Sequence, residues 1–96
     1  MAKGYWIAAY HSVLDPEKLA AYGELAKPAI EAAGGRFLAR GGRVTAFERG
    51  RTERTVVVEF PSYADAVAAY RGESYQRALA VLDGTAERDV RIVEGL

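Results

Sequence analysis

The chain has 96 residues, with 13 Lys and Arg balanced by 13 Asp and Glu, a single His and no Cys. That length suits one domain spanning residues 1–96, built as a sheet with one helical layer, and leaves the sheet's second face in need of another cover. Balanced charge without a long block of one sign argues against a nucleic-acid partner, the lack of a long apolar run argues against a membrane span, and the lack of cysteine excludes disulfides and thiolate chemistry.

A soluble, cytoplasmic protein is the expectation from this composition. The first segment, Lys3 to Val13, is rich in aromatic and aliphatic residues and reads as a buried or half-buried strand. Asp15, Pro16 and Glu17 form a helix start: a capping side chain, a ring that presets the first helical φ, and a carboxylate near the positive end of the dipole. Leu19, Tyr22, Ala26, Ala29, Ile30 and Ala33 then make one apolar stripe. Pro28 lies within it and removes an amide donor, which predicts a kink or break before Gly34 and Gly35 end the helix.

Arg36 to Arg40 reads as a short second strand, with Val44 to Glu48 as its continuation past a bend at Gly41 and Gly42. Arg54 to Phe60, centred on three valines, is the clearest strand and belongs in the middle of the sheet. Ser62 with Asp65 resembles a capping box and launches a second helix through Ala66, Val67 and Tyr70. Gly72 interrupts that helix, Ser74 is placed to cap a further one carrying Tyr75, Ala78, Leu79 and Leu82, and Val90 to Val93 is the last strand. Strand, helix, strand, strand, helix, strand is the split βαβ pattern of an α+β, ferredoxin-like domain, with a four-stranded antiparallel sheet in the order four, one, three, two and both helices on one face.

Several stretches together resemble one family: Tyr5-Trp6-Ile7, Asp15-Pro16-Glu17, Lys27-Pro28-Ala29-Ile30, the run from Gly34 to Gly42, Glu59-Phe60-Pro61-Ser62, Tyr70, Tyr75-Gln76 and Val93-Glu94-Gly95. They are similar to the domain of unknown function 1330 family within the dimeric α/β barrel superfamily. The resemblance implies a ferredoxin-like subunit whose open sheet face packs on that of a second copy, as a homodimer. It implies no reaction, because relatives in that superfamily include cofactor-free monooxygenases, lactone isomerases and haem-binding enzymes. Where the family pattern leads one to expect an arginine late in the helix after Tyr75, this chain has Leu82.

Two candidates for proton transfer stand out. His11 lies at the end of the first strand and carries the one side-chain type whose ordinary titration falls near neutrality; its plainer role is that of a partly exposed strand-end imidazole. Glu59 follows three valines in the central strand, where a carboxylate needs a partner: with Arg40 or another cation beside it, it stays charged and fixes register, and without one it becomes a proton carrier. Arg36 and Arg40 share a face of a regular strand and can clamp an anionic ligand or pair with acids such as Glu59. Tyr5, Trp6 and Tyr10 alternate between faces, so at least one large ring points to the side that the helices do not cover, where it lines either a pocket or the dimer seam; Trp6 and Tyr10 are the ligand-binding candidates among them. By strand parity His11, Arg40 and Glu59 are expected to meet near one face.

No cofactor is implied: neither glycine pair is followed by the lysine and hydroxyl residue of a phosphate loop, and one histidine builds no common metal cluster. Two functional classes remain open. One is a small dimeric enzyme or binder of an organic molecule held between sheet and helices; the other is a non-catalytic dimerisation or sensing module. An apolar cleft with a few convergent polar groups favours the first, and a filled interior favours the second.

Overall fold

The computed structural model describes residues 2–96. Its elements are β1 (Gly4–Val13), α1 (Pro16–Ala32), β2 (Arg36–Arg40), β3 (Thr55–Phe60), α2 (Tyr63–Arg71), α3 (Glu73–Leu82) and β4 (Ala86–Glu94). The four strands form one antiparallel sheet in the order β2-β3-β1-β4, with the two longest neighbours, β1 and β4, paired along most of their length. This is the expected ferredoxin-like order, and the strand with three valines is central.

The even-numbered side chains of β1 face the helices. Gly4, Trp6, Ala8 and Tyr10 are buried, whereas their odd-numbered neighbours are half-buried on the open face. Trp6 pairs across the ladders with Val58 and Ile92, so β3 and β4 present the same parity to the core. Trp6 is the centre of that core. Its ring lies 5.1 Å from Phe60, 5.8 Å from Tyr70 and 4.9 Å from Tyr75, and its indole N–H donates to the Ala66 carbonyl at 2.7 Å. Each such ring pair adds about 0.5–1.5 kcal/mol beyond the area it buries, and the donated N–H removes the penalty of an orphaned polar atom.

Local signals explain most element boundaries. Asp15 Oδ1 accepts from the amides of Glu17 and Lys18, and Ser62 Oγ accepts from the Asp65 amide, so both expected caps are formed. Four features differ from the sequence reading. Pro28 does not break α1: the helix runs through it to Ala32, with Glu24 and Pro28 both among its exposed residues. Ser74 does not cap α3. A single residue, Gly72, separates α2 from α3 and serves as the N-cap with no side-chain bond, while Gln76 Nε2 ties the joint together by donating to the Tyr70 carbonyl at 2.7 Å. Residues Val44 to Glu48 form no strand; the segment from Gly42 to Glu53 leaves the sheet as a long, mostly exposed loop that carries Phe47 at its surface. The last strand begins four residues earlier than Val90, at Ala86.

The fourth strand's extra length and a bulge in the second strand set the site. β2 is not regular: Phe37 pairs with Val58 and Ala39 with Val57, so Leu38 is an extra residue in the ladder. That bulge reverses the alternation and moves Arg40 to the helix side, opposite Val56, while Arg36 stays on the open face opposite Glu59. No helix among the described residues is long and apolar enough to cross a membrane.

Candidate ligand cleft

Between α1 and the sheet lies a cleft of about 470 Å³, a size typical of small-molecule sites. Its walls are largely apolar: Leu19, Ile30, Phe37, Val56 and Val90 join the rings of Trp6 and Tyr10. Four cationic side chains, Arg40, Arg54, Arg88 and Lys27, line it against one carboxylate, Glu24. The strands position each arginine. Arg88 lies opposite Tyr10 in the β1–β4 ladder, Arg54 extends the β1–β3 ladder through its carbonyl, which accepts from the Tyr10 amide at 2.9 Å, and Arg40 is delivered by the bulge.

What holds these guanidinium groups is aromatic surface. Arg88 sits 5.5 Å from the centre of the Tyr10 ring and 5.4 Å from that of Tyr22, Arg54 sits 5.9 Å from the Tyr10 ring, and Arg40 sits 5.2 Å from the Phe37 ring. None of the three makes an ion pair with a carboxylate among the described residues. Arg54 Nε is shielded from solvent and has no hydrogen-bond acceptor. Arg88 donates to the phenol oxygens of Tyr22 and Tyr75 at 3.3 and 3.4 Å, and those oxygens lie 2.7 Å apart. Burial, reinforced by the Tyr75 phenol, holds the Tyr22 hydroxyl well above its ordinary value, with Arg88 opposing, so the phenol stays protonated at neutral pH. Burial acts against the Arg88 charge, yet the phenols around it more than offset that, and it stays charged.

Two glycines make room for these side chains. Gly23, in the middle of α1, lies under Arg40: a Cβ there would come within 3.1 Å of Nη2. Gly41, at φ 69°, turns the chain out of β2 in the left-handed region, and a Cβ on it would collide with Nη1 of Arg54.

The sequence candidates divide among three places. Trp6, Tyr10 and Arg40 line the cleft together. Glu59 and Arg36 lie on the opposite, open face: Glu59 accepts from the Tyr5 hydroxyl at 3.2 Å and stands 3.8 Å from Arg36, and its side chain is 20% exposed. Partial dehydration, then the hydrogen bond to Glu59 and that carboxylate's charge, raise the Tyr5 phenol above its ordinary value, while Arg36 works the other way. His11 is the unpaired residue of a bulge in β1 and meets Glu87 of β4 at 3.4 Å, beside a smaller depression of about 300 Å³ that includes Arg51, Glu53 and Asp89. His11, Arg40 and Glu59 are therefore not brought together, and Arg36 and Arg40 do not form a clamp, because the bulge at Leu38 puts them on opposite faces.

Arg54 and Arg88 were not singled out from the sequence, although a signal for each is there. Arg54 has the parity of Val56, Val58 and Phe60, and Arg88 that of Val90 and Ile92, so each is a cation on the core side of an amphipathic strand.

A four-stranded antiparallel sheet in this order, covered on one face by helices, defines the ferredoxin-like class of α+β proteins. The chain belongs to the DUF1330 family, described as a domain of unknown function, whose sequence profile matches residues 3–96. None of the curated proteins matches it. Among solved structures it is similar to RPA0582 of Rhodopseudomonas palustris, a protein of unknown function, at 21% identity and a TM-score of 0.69 over 97% of this chain and 80% of that one. The methylated form of RPA0582 superposes with a TM-score of 0.74 at 18% identity, covering 99% of this chain and 82% of that one. It is also similar to SnoaB, a cofactor-independent oxygenase from Streptomyces nogalater, at 10% identity and a TM-score of 0.56 over 96% and 89% of the two chains. A dimeric ferredoxin-like protein of unknown function from Thermobifida fusca matches at 16% identity and a TM-score of 0.53 over 99% and 92%. At these identities the likeness concerns the fold.

Proposed function

We propose that residues 1–96 act as one cytoplasmic domain that pairs into a homodimer and binds a small organic molecule in the cleft between α1 and the sheet. The carrying observation is the cleft itself: the interior is not filled, its walls are largely apolar, and a few polar groups converge in it. Cofactor-free chemistry on the bound molecule is consistent with the oxygenase SnoaB sharing the fold, and with the paired hydroxyls of Tyr22 and Tyr75 lying at the cleft wall.

Pairing through the open sheet face is supported by what that face presents. Ile7 of β1 lies beside Val57 of β3 and Ala39 of β2, all on the side away from the helices, and Val93 of β4 is 48% exposed. A monomer would leave this apolar strip in water, whereas a second copy covers it. The Tyr5, Glu59 and Arg36 cluster borders the strip and is suited to fixing how two copies align.

The test is native mass spectrometry of the protein mixed with a set of small aromatic and aliphatic compounds. The expected result is one retained molecule per chain, lost in Gly23→Leu, whose side chain enters the cleft beneath Arg40. If no compound is retained, or retention is equal in the variant, the cleft is not a ligand site and the chain is better described as a pairing module.

A further inference from the structure

The three cleft arginines have no carboxylate partner among the described residues, and this constrains what can occupy the space beside them. A ligand that enters the cleft displaces the water that solvates these groups. A neutral apolar ligand would leave guanidinium donors facing hydrocarbon, at a cost that grows as the cleft dries, whereas a ligand with a negative oxygen pair replaces the lost water and neutralises charge. Arg40 and Arg54 pack against rings and make no side-chain hydrogen bond among the described residues, whereas Arg88 spends part of its donor capacity on the two phenols and keeps the rest. The proton count at the phenols points the same way. Of the two hydroxyl protons on Tyr22 and Tyr75, one lies between the oxygens, and the other has no acceptor among the described residues.

We propose, building on the cleft as a ligand site, that its occupant is an organic carboxylate with an apolar body about the size of an aromatic ring system. The body packs on Trp6, Phe37, Ile30 and Val56, the carboxylate is gathered by Arg88 and Arg54 with one phenol as a third donor, and Arg40 stands at the rim, where it is exposed. A planar carboxylate matches the planar fork of a guanidinium, and such charge-assisted bonds are about twice as strong as neutral ones.

The experiment compares 2-naphthoate with 2-naphthalenemethanol, which share a ring system and differ in charge. Each is titrated into the intact protein at neutral pH while the indole N–H signal of Trp6, the only tryptophan, is followed by NMR. The carboxylate is expected to bind about tenfold or more tightly than the alcohol, the difference made by one or two charge-assisted hydrogen bonds. Arg54→Gln and Arg88→Gln should each remove most of that preference, and added salt should weaken the carboxylate alone. Arg54→Gln serves by itself if the Arg88 variant is poorly folded. Arg36→Gln, on the open face, should leave the preference intact. Equal binding of both probes, or tighter binding of the alcohol, would overturn the carboxylate assignment while leaving the cleft as a site. A Trp6 signal that moves with neither probe would overturn the cleft reading as well.

Discussion

At the scale of single residues, charge placement separates the two faces of the sheet. Tyr22 is 8% exposed and keeps its phenol proton well above the ordinary value of 10.0, so the folded protein holds one more proton than the unfolded chain once pH passes that value. This contribution to stability is fully present below pH 10.0 and is lost as pH rises through the higher folded value. Denaturation followed from pH 8 to about 11 should therefore show stability falling above pH 10, with a shallower fall in Tyr22→Phe. A variant with the same alkaline slope as the wild type would show that Tyr22 is not the source. Glu59 gives a contrasting expectation. It sits on the open face beside Arg36, whose side chain is 75% exposed, and exposed pairs of this kind contribute about 0–1 kcal/mol. Glu59→Gln should leave ligand binding in the cleft unchanged and shift stability by no more than about 1 kcal/mol. Loss of binding would return Glu59 to the site.

Among the elements, α1 contributes most to the wall of the cleft. Gly23 occurs in the interior of a 17-residue helix, where glycine is less favourable than alanine by about 0.8–1.0 kcal/mol. The cleft supplies the reason, since Arg40 lies over it. Because the group that a Cβ would approach is the free end of a flexible side chain, Gly23→Ala should stabilise the fold by about 0.5–1 kcal/mol in urea denaturation. Destabilisation would mean that Arg40 is held too firmly to move. The same elements show what a sequence can and cannot reveal. Strand parity, the caps at Asp15 and Ser62 and the apolar stripe of α1 depend on neighbouring residues, so the order of elements and the sheet order were readable, whereas which rings of β1 face the helices was left open. The bulge at Leu38 depends on how β2 meets β3, and no local residue pattern announces it; one extra residue was enough to separate Arg36 from Arg40. The break expected at Pro28 does not occur for a related reason: the cost of the missing amide depends on the surroundings of the helix, which the local sequence does not give.

For the whole molecule, the open face is the remaining question. Ferredoxin-like sheets have helices on one side only, and here the bare side carries Ile7, Val57 and Ala39 at its centre. Covering it with a second copy should bury roughly 1,200 Å² or more in total. Sedimentation at micromolar concentration is expected to give a dimer, and Ile7→Glu to give a monomer that still folds, because a charge at the seam is desolvated only on pairing. A wild-type monomer would remove the pairing proposal without touching the cleft. The cleft is what distinguishes a ligand-binding domain from a pairing module, and the backbone amide map of the protein on addition of 2-naphthoate tests it most directly. Shift changes converging on Trp6, Gly23, Ala26, Phe37 and Arg88 are the predicted result; changes confined to the open face around Ile7, Val57 and Val93, or no changes at all, would contradict it.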